Sequence, residues 1–233
     1  LAIRCILFDL FGTLVQYDAG RVGQDFSQTY ELVQSAGASL TYEALLSSID
    51  QVFSELDDWS ASHGREYSMQ TVASELFNTL EVSAEPHLQE QSLQNQFAET
   101  YTLEWSKAVV PVHGVQALLQ RCARQFTTGV ITNTHYEPMV LRLISEHRFS
   151  GLSTVTTSVS HCSPKPQPDI FLDTLKTLGM KPSECVYVGD NCTADYLGAT
   201  AVGMQCYLIG KHARVPRENQ IPTVMDLPLH LLK

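Results

Sequence analysis

No stretch of this 233-residue sequence approaches the roughly 20 consecutive apolar residues of a membrane-spanning helix. No two cysteines are spaced C-x-x-C, and no Cys/His spacing resembles a zinc site. Cys5, Cys122, Cys162, Cys185, Cys192 and Cys206 are therefore expected to be reduced thiols of a cytoplasmic protein, with Cys5 and Cys185 acting as small hydrophobes in apolar strands. Basic residues are scarce: 15 Lys and Arg face 25 Asp and Glu, a net charge of −10. That balance argues against a nucleic-acid binder held by phosphate contacts. Lysine is missing altogether from residues 16–106. The opening residues Leu1-Ala2-Ile3-Arg4 carry no basic, apolar and cleavage-site pattern, so no signal peptide is expected there. Internal repeats and low-complexity tracts are also missing.

What is present divides unevenly. Hydrophobic residues make up 44% of the chain, enough for a core that folds without staples. Residues 16–108 hold 15 acidic and 3 basic side chains (Arg21, Arg65, Lys107), whereas the rest holds 10 acidic and 12 basic. This asymmetry predicts two units with different surroundings. From about 22 to 106 the pattern is helical. Leu45, Leu46, Ile49, Val52, Phe53 and Leu56 recur at helical spacing behind Thr41 as N-cap. Leu93, Phe97 and Tyr101 mark another helix starting near Pro86.

Elsewhere strands and helices alternate. Strand-like runs are Ile3–Phe8, Thr127–Thr132, Ser153–Ser158, Cys185–Val188 and Met204–Ile209. Helical patterns are Val115–Cys122, Pro138–His147, Ile170–Leu178 and Ala194–Val202. Alternation of this kind predicts an α/β fold with a parallel sheet covered on both faces. The first strand alone could bury nothing, so it belongs to that sheet and the helical block is an insertion. The predicted core is 1–15 with 109–233, and the insertion is 16–108.

Open parallel sheets bind ligands at the carboxyl ends of their strands. The first strand ends in Asp9-Leu10-Phe11-Gly12-Thr13-Leu14 and the second in Thr132-Asn133. The third leads to Pro164-Lys165-Pro166-Gln167-Pro168, and the fourth ends in Gly189-Asp190 with Asp195 five residues on. Each has a plain structural reading: turn residues at Asp9, Asn133 and Asp190, a loop charge at Lys165, and a helix-dipole charge at Asp195. His113, His135 and His161 read as loop or surface histidines, and Trp59, Tyr67 and Trp105 as packing within the helical block.

Taken in order, FDLFGTL, ITN, SPKPQPDIF and VGDNCTAD resemble the four motifs of the haloacid dehalogenase-like hydrolases, spanning residues 6 to about 203. The insertion resembles the helical type-one cap of that superfamily. The resemblance implies a three-layer Rossmann-like core with a helical cap, and a hydrolase whose nucleophile is Asp9. A carboxylate nucleophile divides one difficult displacement into two through an aspartyl ester. For a phosphorylated small molecule, Lys165, Thr132, Asn133 and Gly12 would bind the phosphoryl group. Mg²⁺ would be held by Asp9, the backbone carbonyl of Phe11 and Asp190, with Asp195 orienting that shell or joining it through water.

Phe11 departs from the pattern. Phosphatases of the superfamily carry a second Asp there, which protonates the leaving oxygen and then activates water. The superfamily's 2-haloacid dehalogenases carry an aromatic there and need no leaving-group proton. They are metal-free, however, lack the first Asp of the fourth motif, and use a cap Arg about thirty residues beyond the nucleophile, where this chain reads Ala38-Ser39-Leu40-Thr41. Arg21 is the nearest substitute. The phosphonatase branch needs a cap Lys, which is missing. The expected function is thus Mg²⁺-dependent phosphatase chemistry on a small metabolite. The alternatives are a metal-independent 2-haloacid dehalogenase and a binding protein that has lost turnover.

Overall fold

A computed structural model describes residues 2–17, 23–82 and 87–228. Arg21 and the helix start at Pro86 lie outside the described residues. The chain divides into two compact units, Leu1–Tyr17 with Val110–Thr134 and Leu141–Lys233, and Asp18–Val109 with His135–Val140.

Among the described residues the first unit has eight strands: β1 (Cys5–Phe8), β2 (Val15–Gln16), β3 (Val110–Pro111), β4 (Thr127–Thr132), β5 (Leu152–Thr157), β6 (Cys185–Gly189), β7 (Gln205–Ile209) and β8 (Gln220–Ile221). Six of them form one sheet in the order β5-β4-β1-β6-β7-β8, with every pairing parallel. β1 is central, with Phe8 opposite Val130 on one side and Val188 on the other. All four residues of β1 and all five of β6 are buried, because a parallel strand covered on both faces has no solvent side to alternate towards. β2 and β3 pair antiparallel as a separate ribbon.

Nine helices occur among the described residues: α1 (Ser27–Ser35), α2 (Tyr42–His63), α3 (Met69–Thr79), α4 (His87–Ser106), α5 (Val115–Ala123), α6 (Glu137–Glu146), α7 (Ser158–His161), α8 (Pro168–Leu178) and α9 (Gly198–Ala201). The expected strand end at Ser158 is instead the first residue of α7. The helix expected over 194–202 opens with a π-helical turn, Cys192–Leu197, before α9.

The helical unit contains α1 to α4 around a core that includes Phe26, Leu45, Ile49, Val72, Leu76 and Phe97. Thr41 caps α2 by accepting a hydrogen bond from the Ala44 amide, and Gly64 ends the helix in the left-handed conformation. Glu104 is buried, and its carboxylate accepts from the amides of Gln28 and Thr29 and the Thr29 hydroxyl at the first turn of α1. Trp59 departs from the packing expected of it: it is 40% exposed and stacks on His63. Residues 135–140 group with this unit, a return visit that the linear pattern does not reveal. His135 stacks on Tyr67 with 4.1 Å between centroids, its Nδ1 lies 3.0 Å from buried Glu66, and its carbonyl accepts from the Met69 amide.

Candidate active site

Asp9 follows β1, and its amide donates to the Val188 carbonyl of β6. The chain then folds tightly: the Leu10 carbonyl accepts from the amides of Leu14 and Val15 at 2.9 and 3.0 Å. Gly12 makes this possible. Its φ is +82°, and a Cβ there would lie 2.1 Å from Oδ2 of Asp190. The loop thus lies directly against the end of β6.

Lys165 is the hub of the site. Its ammonium donates to Oδ1 of Asp9 at 2.7 Å, to Oδ1 of Asp195 at 2.6 Å and to the Tyr187 hydroxyl at 2.9 Å. All three donor positions of the buried ammonium are therefore used. Asn133 clamps the lysine's backbone, its Oδ1 accepting from the Lys165 amide and its Nδ2 donating to the Lys165 carbonyl. The side chain of Asn133 is therefore committed to placing Lys165.

Asp195 is 1% exposed and both its oxygens are engaged: Oδ1 by Lys165, Oδ2 by the amides of Asp190 and Asn191. Gly189 lets it come so close, since a Cβ there would meet the Asp195 carboxyl carbon at 2.3 Å. Asp195 holds the Asp190 turn and the lysine in register with one another. Thr132 ends β4, next to β1 in the sheet, and its buried hydroxyl has no hydrogen-bond partner. A buried hydroxyl without a partner is costly.

The electrostatics follow from burial. Loss of solvent pushes the Asp9 carboxyl up to about 7 against the opposing pull of Lys165, with Asp195 adding to the rise. Burial, then the charge of Asp195, also raises Asp190. Burial alone would lower Lys165, but Asp195 and Asp9 outweigh it and hold its ammonium above the usual range.

One carboxylate oxygen from each of Asp9, Asp190 and Asp195 lies within 4.8 Å of the others. All three donors are hard oxygens, as Mg²⁺ requires. Lys165 bridges only Asp9 and Asp195, and with both oxygens of Asp195 engaged, Asp9 and Asp190 are the pair suited to direct ligation. The residues therefore fit a divalent cation. Phe11 lies two positions after Asp9, half-buried, with its ring edge-on to Tyr17 at 5.7 Å. Partial burial, then the charges of Asp190 and Asp9, hold the Tyr17 hydroxyl above its ordinary range.

Tyr187 is the residue the sequence reading missed. A tyrosine inside the apolar strand CVYVG needs a partner for its hydroxyl, and that requirement was the available signal. His113 is exposed, and His161 pairs with Asp173 at 3.1 Å.

A family model of haloacid dehalogenase-like hydrolases matches residues 3–203. Haloacid dehalogenase-like hydrolase domain-containing protein 3 of Homo sapiens is 38% identical over 81 residues, covering 31% of this chain and 32% of that protein. Glyceraldehyde 3-phosphate phosphatase of Methanopyrus kandleri is 41% identical over 73 residues, covering 29% and 31%. The matched stretches thus span about a third of these relatives. Among solved structures, a 2-haloacid dehalogenase from Pseudomonas syringae pv. Tomato superposes with a TM-score of 0.73 at 24% identity, covering 98% of both chains. The HAD-hydrolase YfnB from Bacillus subtilis, bound to magnesium, superposes with a TM-score of 0.65 at 16% identity over 100% and 99%. At these identities the structural likeness establishes the fold. With the family match extending across most of its length, the chain belongs to the haloacid dehalogenase-like hydrolases.

Proposed function

We propose that this hydrolase is a Mg²⁺-dependent phosphatase acting on a small phosphorylated metabolite through an aspartyl phosphate on Asp9, with the helical unit as the cap that selects the substrate. The observation that carries this reading is the cluster of Asp9, Asp190 and Asp195 around a single lysine. Three carboxylates against one ammonium leave an excess of negative charge in a buried place, which a cation relieves and a metal-free site would have to tolerate. A bound Mg²⁺, held by Asp9, Asp190 and the Phe11 carbonyl, would neutralise phosphoryl oxygens.

This chain's residues do the rest. Lys165 holds Asp9 through Oδ1, and Oδ2, which accepts from the Thr13 hydroxyl at 3.5 Å, is the oxygen that attacks phosphorus. The Thr132 hydroxyl and neighbouring amides receive a phosphoryl oxygen. The phosphorus–ester oxygen bond breaks as the Asp9–phosphorus bond forms. The leaving oxygen takes its proton from solvent or from the substrate itself, since Phe11 has none to give. Water then attacks the aspartyl phosphate, releasing inorganic phosphate and restoring the carboxylate.

Phe11 supports a second reading, metal-independent dehalogenation, in which halide leaves without a proton. A panel of phosphate esters and 2-haloacids, each assayed with Mg²⁺ and with chelator, separates the two. Phosphate release that needs Mg²⁺ and disappears in Asp9→Asn supports the phosphatase. Halide release insensitive to chelator would replace it.

A further inference from the structure

The loop after β7 carries Lys211, His212, Arg214 and Arg217 within seven residues of a chain whose net charge is −10. Among the described residues, no carboxylate lies within ion-pair distance of Lys211, Arg214 or Arg217. Exposed lysines and arginines are commonly just solvated, but Lys211 and Arg217 line a cavity. It measures about 1050 Å³, and its wall includes Lys211, His212, Arg217, Gln220 and Pro222.

The wall is held in place. The Gln220 side chain accepts from the His212 amide at 3.1 Å and donates to the carbonyls of His212 and Val215. Asn219 ties the same segment to β7 by donating to the Cys206 carbonyl. The His212 ring sits 3.0 Å from the Ile209 carbonyl. An irregular loop thus presents its cations on a fixed surface, which lowers the ordering cost of receiving a ligand.

Position gives this surface its meaning. Lys211 and His212 follow β7, and Pro222 follows β8, so the cavity lies at the carboxyl ends of strands, as Asp9 and Asp190 do. In the order β1-β6-β7, two strand spacings separate Asp9 from Lys211, roughly 10 Å across the sheet.

We propose that Lys211 and Arg217 form a subsite for a second anionic group of the substrate, so that the preferred substrates are metabolites carrying a phosphate or carboxylate about 10 Å from the scissile phosphoryl group. This rests on Asp9 being the phosphoryl acceptor. Strand ends that far apart suit a second anion at the far end of a five- or six-carbon skeleton better than one on the adjacent carbon.

The test compares two probes that differ by one phosphate, fructose 6-phosphate and fructose 1,6-bisphosphate. Calorimetric titration of the full chain carrying Asp9→Asn, at constant free Mg²⁺, prevents turnover. The bisphosphate is expected to bind at least about tenfold more tightly, the usual worth of charge-assisted contacts. Lys211→Ala with Arg217→Ala should reduce it to the monophosphate's affinity, while monophosphate binding stays within about twofold. Lys211→Arg with Arg217→Lys should restore the preference. These side chains are exposed, so folding is not at stake. Equal binding of the two probes, failure to bind either, or a preference that survives the double alanine change overturns the subsite. Hydrolysis of p-nitrophenyl phosphate by the unmutated protein is followed separately. Its absence alongside an intact bisphosphate preference would sink the phosphatase reading and leave Lys211 and Arg217 standing only as an anion-binding surface, no longer a substrate subsite.

Discussion

The hydroxyl of Tyr187 stands between Lys165 and the main chain, accepting from the ammonium at 2.9 Å and donating to the Ile131 carbonyl at 2.7 Å. It links β6 to β4 beneath the site and fixes the height of the lysine. Tyr187→Phe removes one partner from a buried ammonium and leaves a buried carbonyl without its donor. The expected loss of stability is about 1–3 kcal/mol, read from urea unfolding. Turnover should fall while KM changes little, because the lysine keeps Asp9 and Asp195 but loses its third fixed point. Unchanged stability and turnover would show that Tyr187 does not position the lysine.

Divalent metal should stabilise the sheet unit. At a hundredfold excess over Kd, binding contributes about 2.7 kcal/mol, equivalent to a rise of roughly 5–10 °C in melting temperature. Scanning fluorimetry with Mg²⁺ and with EDTA measures this. Asp190→Ala should abolish the response. A melting temperature indifferent to both additions would favour the metal-free alternative.

Phe11→Asp should restore a proton relay to a phosphatase that lacks one. Alkyl phosphates should gain more than p-nitrophenyl phosphate, whose leaving group needs little protonation. Acid–base help is worth about 10²–10⁴ in rate. The measurement is the ratio of the two turnover rates at matched folded fraction, in both proteins. A ratio that stays level or drops defeats the missing-acid account. In a dehalogenase, the added charge beside Asp9 should depress halide release.

The thiols should divide by burial. Cys162 is exposed and Cys192 half-buried, whereas Cys5, Cys122, Cys185 and Cys206 are buried. Burial pushes the Cys122 thiol up to about 11. At pH 8 that group is almost wholly protonated, and only the thiolate reacts. Iodoacetamide on the native protein followed by peptide mass spectrometry should label Cys162 first and Cys122 only on unfolding. Early labelling of Cys122 would contradict the packing around α5.

The strands β1, β4, β6 and β7 were legible because buried parallel strands leave apolar runs bounded by turn residues. β8 was not, since two residues cannot display a period. The ribbon of β2 and β3 escaped for the same reason. The chemistry-bearing residues were legible as types at strand ends. Their division of labour was not. Nothing in the order of residues reveals that Asn133 turns its side chain onto the Lys165 backbone, or that Asp195 has both oxygens occupied. The return of residues 135–140 to the helical unit was equally hidden, because it depends on His135 meeting Tyr67 and Glu66 across some seventy positions of chain.

Gly12 and Gly189 each abut a carboxylate with no room for a methyl group, one against Asp190 and the other against Asp195. The acidic cluster is therefore walled in by backbone on two sides, and its dimensions are set by the absence of side chains. Divergence to new chemistry in a lineage built this way cannot proceed by enlarging the centre. It has to come through the residues that border it, Phe11 and Tyr17 first.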